Sequence, residues 1–172
     1  RVRDVAAPRV VDVGTGSGAV ALALKKERPD AHVVALDRSP GALEVAATNF
    51  CALELPLAML RADLLSAIAH GAGLDLVVSN PPYLRPPEIV GALLREPRLA
   101  LDGGADGLAV TERLVLEAAL RLKAGGALAV EVSPDTASRV IDLLVAQGWT
   151  QARCRKDLCR RDRVVSARRP GN

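Results

Sequence analysis

Val10-Val11-Asp12-Val13-Gly14-Thr15-Gly16-Ser17-Gly18 reads as a strand that runs straight into a glycine turn. The β-branched run favours an extended backbone. The glycines let the chain bend tightly and approach a ligand closely, with the amides of the next helix aimed at it. Ala19 to Arg28 follows, a segment rich in Ala and Leu with an apolar face, ended by Pro29. Strand, glycine turn and helix in this order open a βαβ unit.

The alternation continues outward from that unit. His32 to Leu36 is a second strand with Asp37 at its end, and Ser39 caps a helix that has Pro40 in its first turn and runs to about Leu53. Leu57 to Arg61 is a third strand, followed by Asp63 and Leu64, and Leu74 to Ser79 is a fourth. The stretch from Asn80 to Gly107 is irregular and rich in Pro and Gly, with a short helix expected at Glu88 to Leu94; a loop this long in a compact domain is usually functional. An amphipathic helix is expected from Leu108 to Leu122, ended by Gly125-Gly126. Ala127 to Val132 is a fifth strand, and Ser133 caps a helix from Pro134 to about Gln147, closed by Gly148. Thr150 to Arg155 and Arg163 to Ala167 read as two strands joined by a charged turn. The pattern predicts a doubly wound α/β fold: a mostly parallel seven-stranded sheet with a C-terminal antiparallel hairpin, in one domain over residues 1–172.

Composition agrees with a globular α/β chain, with hydrophobic residues at 49% and charged residues at 25%. No apolar run approaches a membrane span, and no secretory leader is recognisable, since the first residues lead directly into a core strand. Cys51, Cys154 and Cys159 lack metal-ligand spacing, so neither a metal site nor a disulfide framework is expected, and a reduced, cytoplasmic setting is. The net charge of +3 is unevenly spread. Arg153, Arg155, Lys156, Arg160, Arg161, Arg163, Arg168 and Arg169 face only Asp157 and Asp162 within the C-terminal region, which marks it as a weak contact surface for RNA or the ribosome, or as a solvated hairpin.

Four pieces carry chemistry. The turn Gly14-x-Gly16-x-Gly18 differs from the dinucleotide fingerprint in bringing its third glycine one residue early, and it points to a nucleoside-type ligand. Asp37 stands about 20 residues beyond the turn, where a carboxylate accepts hydrogen bonds from ribose hydroxyls. Asp63 and Leu64 follow the next strand along the same edge, within reach of an adenine ring, although Asp63 also suits a helix cap. Asn80-Pro81-Pro82-Tyr83 stops the fourth strand at a stiff turn, because proline has no N–H and a fixed φ. The Asn80 side-chain oxygen and the Pro81 carbonyl are two acceptors at fixed separation, suited to hold both hydrogens of a planar NH2 group. Tyr83, the sole tyrosine of the chain, can stack on that group.

Asp12 to Gly18, Asp37 and Asn80 to Tyr83 together resemble a Rossmann-like class I S-adenosylmethionine-dependent methyltransferase that alkylates a planar amino or amide nitrogen. Two further stretches narrow the resemblance. Glu96-Pro97 with Ala100 to Leu108 is similar to the segment after the tetrapeptide in the HemK/PrmC family, and Lys156-Asp157-Leu158 with Arg161-Asp162-Arg163-Val164-Val165 resembles that family's C-terminal hairpin. The resemblance implies transfer of a methyl group to the side-chain amide of a glutamine in a translation protein: the Gly-Gly-Gln motif of a peptide-chain release factor, or a ribosomal protein. It implies that Gly14, Thr15, Gly16, Ser17 and Gly18 wrap the methionine end of the cofactor, that Asp37 holds its ribose, and that Asp63, Leu64 and Asn80 border it. Asn80, Pro81, Pro82 and Tyr83 would hold the glutamine amide, with Asn80, Pro81 and Tyr83 in the catalytic role.

The chain differs from the family pattern in two places. The resemblance covers the family's catalytic domain only, so the helical N-terminal domain that helps bind the release factor is not expected within residues 1–172, and the hairpin turn carries Cys159 and Arg160 where a small residue and Gly are usual. The alternatives left by the residues are a nucleic-acid methyltransferase acting on an adenine or guanine amino group, a cofactor-binding fragment inactive without its missing N-terminal domain, and, more remotely, a dinucleotide oxidoreductase.

Overall fold

The computed structural model of the chain describes residues 5–171. Seven strands form one sheet: β1 (Arg9–Val13), β2 (His32–Asp37), β3 (Ala58–Arg61), β4 (Leu74–Ser79), β5 (Leu122–Glu131), β6 (Thr150–Lys156) and β7 (Asp162–Arg168). Their order across the sheet is β3-β2-β1-β4-β5-β7-β6. The first five run parallel, and β7 is antiparallel to both β5 and β6. The expected doubly wound sheet with its C-terminal hairpin is therefore present.

Four α-helices pack on it. α1 (Ala19–Glu27) and α2 (Pro40–Ala52) lie with β1 to β3 around a core of Val10, Ala21, Val33, Ala35, Ala46 and Phe50. α3 (Ala109–Ala119) and α4 (Ala137–Ala146) cover the opposite face, where Val77, Leu114, Leu128, Val130, Val140 and Trp149 form the larger core. Ser39 caps α2 as expected, its hydroxyl accepting from the Ala42 N–H at 3.3 Å with Pro40 in the first turn.

Three local expectations are corrected. The helix at Glu88 to Leu94 is replaced by short 3-10 turns at Pro86–Glu88, Gly91–Arg95 and Arg98–Ala100. Pro86, Pro87, Gly91 and Pro97 interrupt that stretch too often for an α-helix to propagate. The helix expected to reach Leu122 stops at Ala119, and Gly125-Gly126 lies inside β5, not before it. There the register slips between Leu74↔Leu122 and Leu76↔Ala127, which is a bulge; a Cβ on Gly126 would stand 2.9 Å from the Leu74 and Lys123 carbonyl oxygens, so only glycine fits. α4 begins at Ala137, because Ser133 caps a preceding turn: its carbonyl accepts from the Thr136 N–H at 3.0 Å.

The chain builds outward from β1 through β2 to β3, then returns to place β4 on the other side of β1. That reversal leaves a crevice outside the carboxyl ends of β1 and β4, the place where open α/β sheets bind ligands. The β6–β7 turn stands at this same edge, since β6 runs in the direction of β5.

Candidate active site

The glycine turn leaves β1 as a braced loop. The Thr15 N–H donates to the Leu36 carbonyl at 2.8 Å, tying the loop to the end of β2. Beneath it lies Asp12, 1% exposed, whose Oδ2 accepts from the Thr15 hydroxyl at 2.7 Å and from the Ala21 N–H of α1 at 3.1 Å. Burial pushes the Asp12 carboxyl up from its ordinary range; those two hydrogen bonds act against the shift, and the nearby charge of Asp37 adds to it. The Asn49 side-chain amide of α2 donates to the Ser17 carbonyl at 2.9 Å.

Gly14 (φ +68°) and Gly16 (φ +55°) adopt the left-handed backbone that favours glycine, and a Cβ on either would point into open space. Gly18 differs. A Cβ there would come within 2.3 Å of the Phe50 ring, so the third glycine lets α2 close on the loop. The loop thus keeps an open cradle over Gly14 and Gly16, shaped for a ligand that lies against the backbone.

Asp37 ends β2 beside this cradle, half-buried. Its Oδ2 accepts from the Gly16 N–H and its Oδ1 from the Ser39 N–H, both at 2.9 Å. Each oxygen keeps lone pairs for a further donor, so a carboxylate aligned by the backbone faces the crevice. Asp63 and Leu64 follow β3 at the same edge. The Asp63 carboxylate is engaged by Arg113 Nη2 at 2.8 Å, and the Leu64 side chain is buried in the larger core with φ at +49°.

Asn80-Pro81-Pro82-Tyr83 stands across the crevice at the end of β4. The Ser79 hydroxyl donates to the Val13 carbonyl at 2.8 Å and locks β4 to β1 immediately before the turn. Asn80 is exposed, Pro81 is buried, and Pro82 and Tyr83 are half-buried. Among the described residues the Asn80 side chain has no hydrogen-bond partner, so its amide oxygen is available to a ligand.

The turn is clamped from outside. The Leu84 N–H donates to the Leu101 carbonyl at 2.9 Å and the Gly103 N–H to the Leu84 carbonyl at 2.8 Å. A Cβ on Gly103 would stand 2.8 Å from the Pro82 oxygen and the Tyr83 Cα, and one on Gly107 would stand 2.5 Å from the Tyr83 oxygen. The two glycines therefore let the segment press its backbone against Pro82-Tyr83. Asp106 anchors the same segment, accepting from the Leu108 N–H at 3.1 Å and pairing with Arg139 of α4.

The basic C-terminal region is mostly engaged internally. Arg161 and Arg163 pair with Asp157, Lys156 pairs with Asp162, and Arg168 and Arg169 donate to the Gly125 and Leu122 carbonyls. Arg153, Arg155 and Arg160 have no ion-pair partner among the described residues. Cys51, Cys154 and Cys159 are free thiols, and no described cluster of His, Cys, Asp or Glu could hold a metal ion. No helix among the described residues is long and apolar enough to cross a membrane.

The structure gathers Gly14 to Gly18, Asp37, Asp63, Leu64 and Asn80 to Tyr83 along one sheet edge. Sequence reasoning gave no role to Asn49 and Phe50, which brace the loop, and named Asp12, Gly103 and Gly107 only within stretches that resemble the family, not as the brace beneath the loop and the clamp on the turn. Only Asp12 carried a signal of its own: a carboxylate inside a run of valines must be paired or hydrogen-bonded.

A family profile described as "Methyltransferase small domain" matches residues 2–142, and the chain belongs to that family. Within it, the chain is similar to proteins named release factor glutamine methyltransferase. The one from Deinococcus radiodurans is 44% identical over 99% of this chain and 61% of its own length, and the one from Caulobacter vibrioides is 44% identical over 91% of this chain and 56% of its own. The chain thus spans about 60% of the length of these curated relatives. Among solved structures, a methyltransferase from Pyrococcus furiosus shares the fold at a TM-score of 0.74 and 16% identity, over 96% of this chain and 77% of its own.

Proposed function

We propose that this chain carries the catalytic site of an S-adenosylmethionine-dependent methyltransferase acting on the side-chain amide nitrogen of a glutamine in the Gly-Gly-Gln motif of peptide-chain release factors. The observation that carries the reading is the stiff Asn80-Pro81-Pro82-Tyr83 turn, its amide acceptor unpartnered, facing the Gly14–Gly16 cradle across the crevice. The similarity to proteins named release factor glutamine methyltransferase over nearly the whole chain supports the amide of a glutamine over a nucleobase amine. A cytoplasmic setting follows from that substrate.

The residues present fit the cofactor. The cradle over Gly14 and Gly16 would receive its methionine end, Asp37 its ribose hydroxyls, and the exposed Asp63 carboxylate, through the oxygen Arg113 leaves free, its adenine, whereas the Leu64 side chain is buried in the core. When bound, it supplies an electrophilic methyl group on a sulfonium. The chain supplies position and polarisation. The Asn80 side-chain oxygen and the Pro81 carbonyl accept the two amide hydrogens of the glutamine, which raises electron density on the nitrogen and aims it across the crevice. The prolines keep the two acceptors at fixed separation, so little ordering entropy is lost when the amide docks. Tyr83 stacks on the amide plane.

The test is transfer of a labelled methyl group to release factor, ribosomal protein and RNA in parallel. Labelling of the release factor is expected. Labelling of RNA with neither protein labelled would overturn the reading.

A further inference from the structure

Arg113 and Glu117 of α3 and Arg121, just past its end, recur at i, i+4 spacing and form one row of charged side chains. The row faces the connection between β3 and β4. Arg121, buried, donates from Nε to the Ile68 carbonyl at 2.9 Å. Glu117 Oε2 accepts from the Leu65 N–H at 3.0 Å. Arg113 Nη2 donates to Asp63 Oδ2 at 2.8 Å and stands 3.8 Å from Glu117 Oε1. Arg113 and Glu117 thus hold the residues on either side of Leu64, the side chain of one and the backbone of the other. The Ala62 N–H donates to the Asp37 carbonyl at 3.0 Å, so the chain at Asp63 is also tied to the residue read as the ribose carboxylate.

Sealing the β3–β4 connection against α3 needs only the two inner contacts, made by side chains 7% and 24% exposed at Arg121 and Glu117. The Arg113–Asp63 pair lies at the rim, with side chains 53% and 47% exposed, where an ion pair adds little to stability. What it does is choose between the two oxygens of one carboxylate. Oδ2 is taken; Oδ1 has no partner among the described residues and keeps its lone pairs for a donor. Without Arg113, a carboxylate this exposed would turn freely in water and lose that freedom on meeting a ligand. We infer that Arg113 is a positioning residue for cofactor selectivity: by holding Asp63 through Oδ2 it presents Oδ1 to the 6-amino group of the adenine, so that the site prefers an aminopurine. This inference rests on the reading of the Asp63 edge as the adenine end of the cofactor site.

The test needs no turnover. S-adenosylhomocysteine and its purine riboside analogue, in which hydrogen replaces the 6-amino group, are titrated by calorimetry against wild type and variants. Wild type is expected to bind the amino compound about tenfold more tightly, as a hydrogen bond to a charged group provides. Arg113→Gln should shrink that preference to about twofold, chiefly by weakening the amino compound, while the thermal midpoint stays within about 2 °C of wild type. Arg113→Lys, which keeps a donor but not the planar fork, should restore the preference in part. Asp63→Ala should abolish it, and adding Arg113→Gln to that variant should change nothing further. A preference kept intact by Arg113→Gln, or equal weakening of both ligands, overturns the inference and leaves the cofactor reading standing. A wild type that binds both ligands equally overturns it as well, since Asp63 then reads no amino group. A wild type that binds neither defeats the cofactor reading itself, and the inference with it.

Discussion

The two sides of the crevice are built in opposite ways. The Gly14–Gly18 side is supported from within: Asp12 beneath the loop, Asp37 beside it and Asn49 behind it hold backbone groups a few residues from a strand end. The Asn80–Tyr83 side is supported from without. Its turn is held by backbone contacts from Gly103 and Gly107, distant in sequence, and the chain between them consists of single 3-10 turns with Val90 and Leu94 exposed. The difference matches the two proposed ligands. A cofactor of fixed shape suits a loop prearranged by local bonds. A macromolecular acceptor must deliver one side chain into a rigid turn through a more open surround.

That contrast predicts a division of effects. Asn80→Ala should produce the largest, a loss of transfer of about 100-fold or more, with cofactor affinity kept within about tenfold. Parallel loss of cofactor binding would show that the two sides do not work independently. Asp37→Ala should do the reverse, weakening cofactor binding by about 10- to 100-fold, as expected for charge-assisted hydrogen bonds of about 1.5–3 kcal/mol, while transfer at saturating cofactor stays near wild type. Equilibrium titration of the cofactor checks both.

Gly103→Ala is a smaller change aimed at the outer clamp. The added Cβ must displace the Pro82 oxygen and Tyr83 Cα, each 2.8 Å away, at about 1–3 kcal/mol, so the acceptor KM should rise while the cofactor Kd does not. An unchanged KM would release that segment from the site.

The smallest effect belongs to Asp12. Its folded-state pKa lies above the ordinary value, so its favourable contribution is complete below the unfolded pKa and is lost as pH rises through the raised folded one. Asp12→Asn keeps an acceptor for Thr15 and Ala21 without the buried charge, so this variant should gain on wild type in denaturant titrations as pH rises from about 4 towards neutrality. Asp12→Ala, which strands both donors, should lose about 1–3 kcal/mol at either pH. A constant difference between wild type and Asp12→Asn across that range would argue against the shift.

The inner side was the more legible in sequence because its contacts are local. Valines, glycines and an aspartate after the second strand announce a strand, a loop and a carboxylate at the edge, and the structure brings them together. Even there the packing of Gly18 goes beyond the local pattern: it makes room for Phe50, a partner 32 residues away that no short-range signal reveals. The outer side was harder for the same reason. Nothing between Pro82 and Gly107 says that two glycines will press on one tyrosine, since backbone packing across a loop leaves no periodicity. Gly125-Gly126 was read as a helix stop because glycine after an amphipathic run usually is one; the tight approach of the Leu74 carbonyl turned it into a bulge. The charged hairpin turn is exposed from Leu158 to Arg161, in keeping with the solvated reading; the ion pairs at its base, Lys156–Asp162 and Asp157–Arg163, leave no local pattern because each joins the two strands.

The central claim is that the Asn80 turn presents a glutamine amide to a methyl donor held over Gly14 and Gly16. Its most direct test is labelled methyl transfer from S-adenosylmethionine to a release factor with its Gly-Gly-Gln motif intact and to the same factor with that glutamine changed to alanine. The account predicts label on the first and none on the second. Equal labelling of both would contradict it.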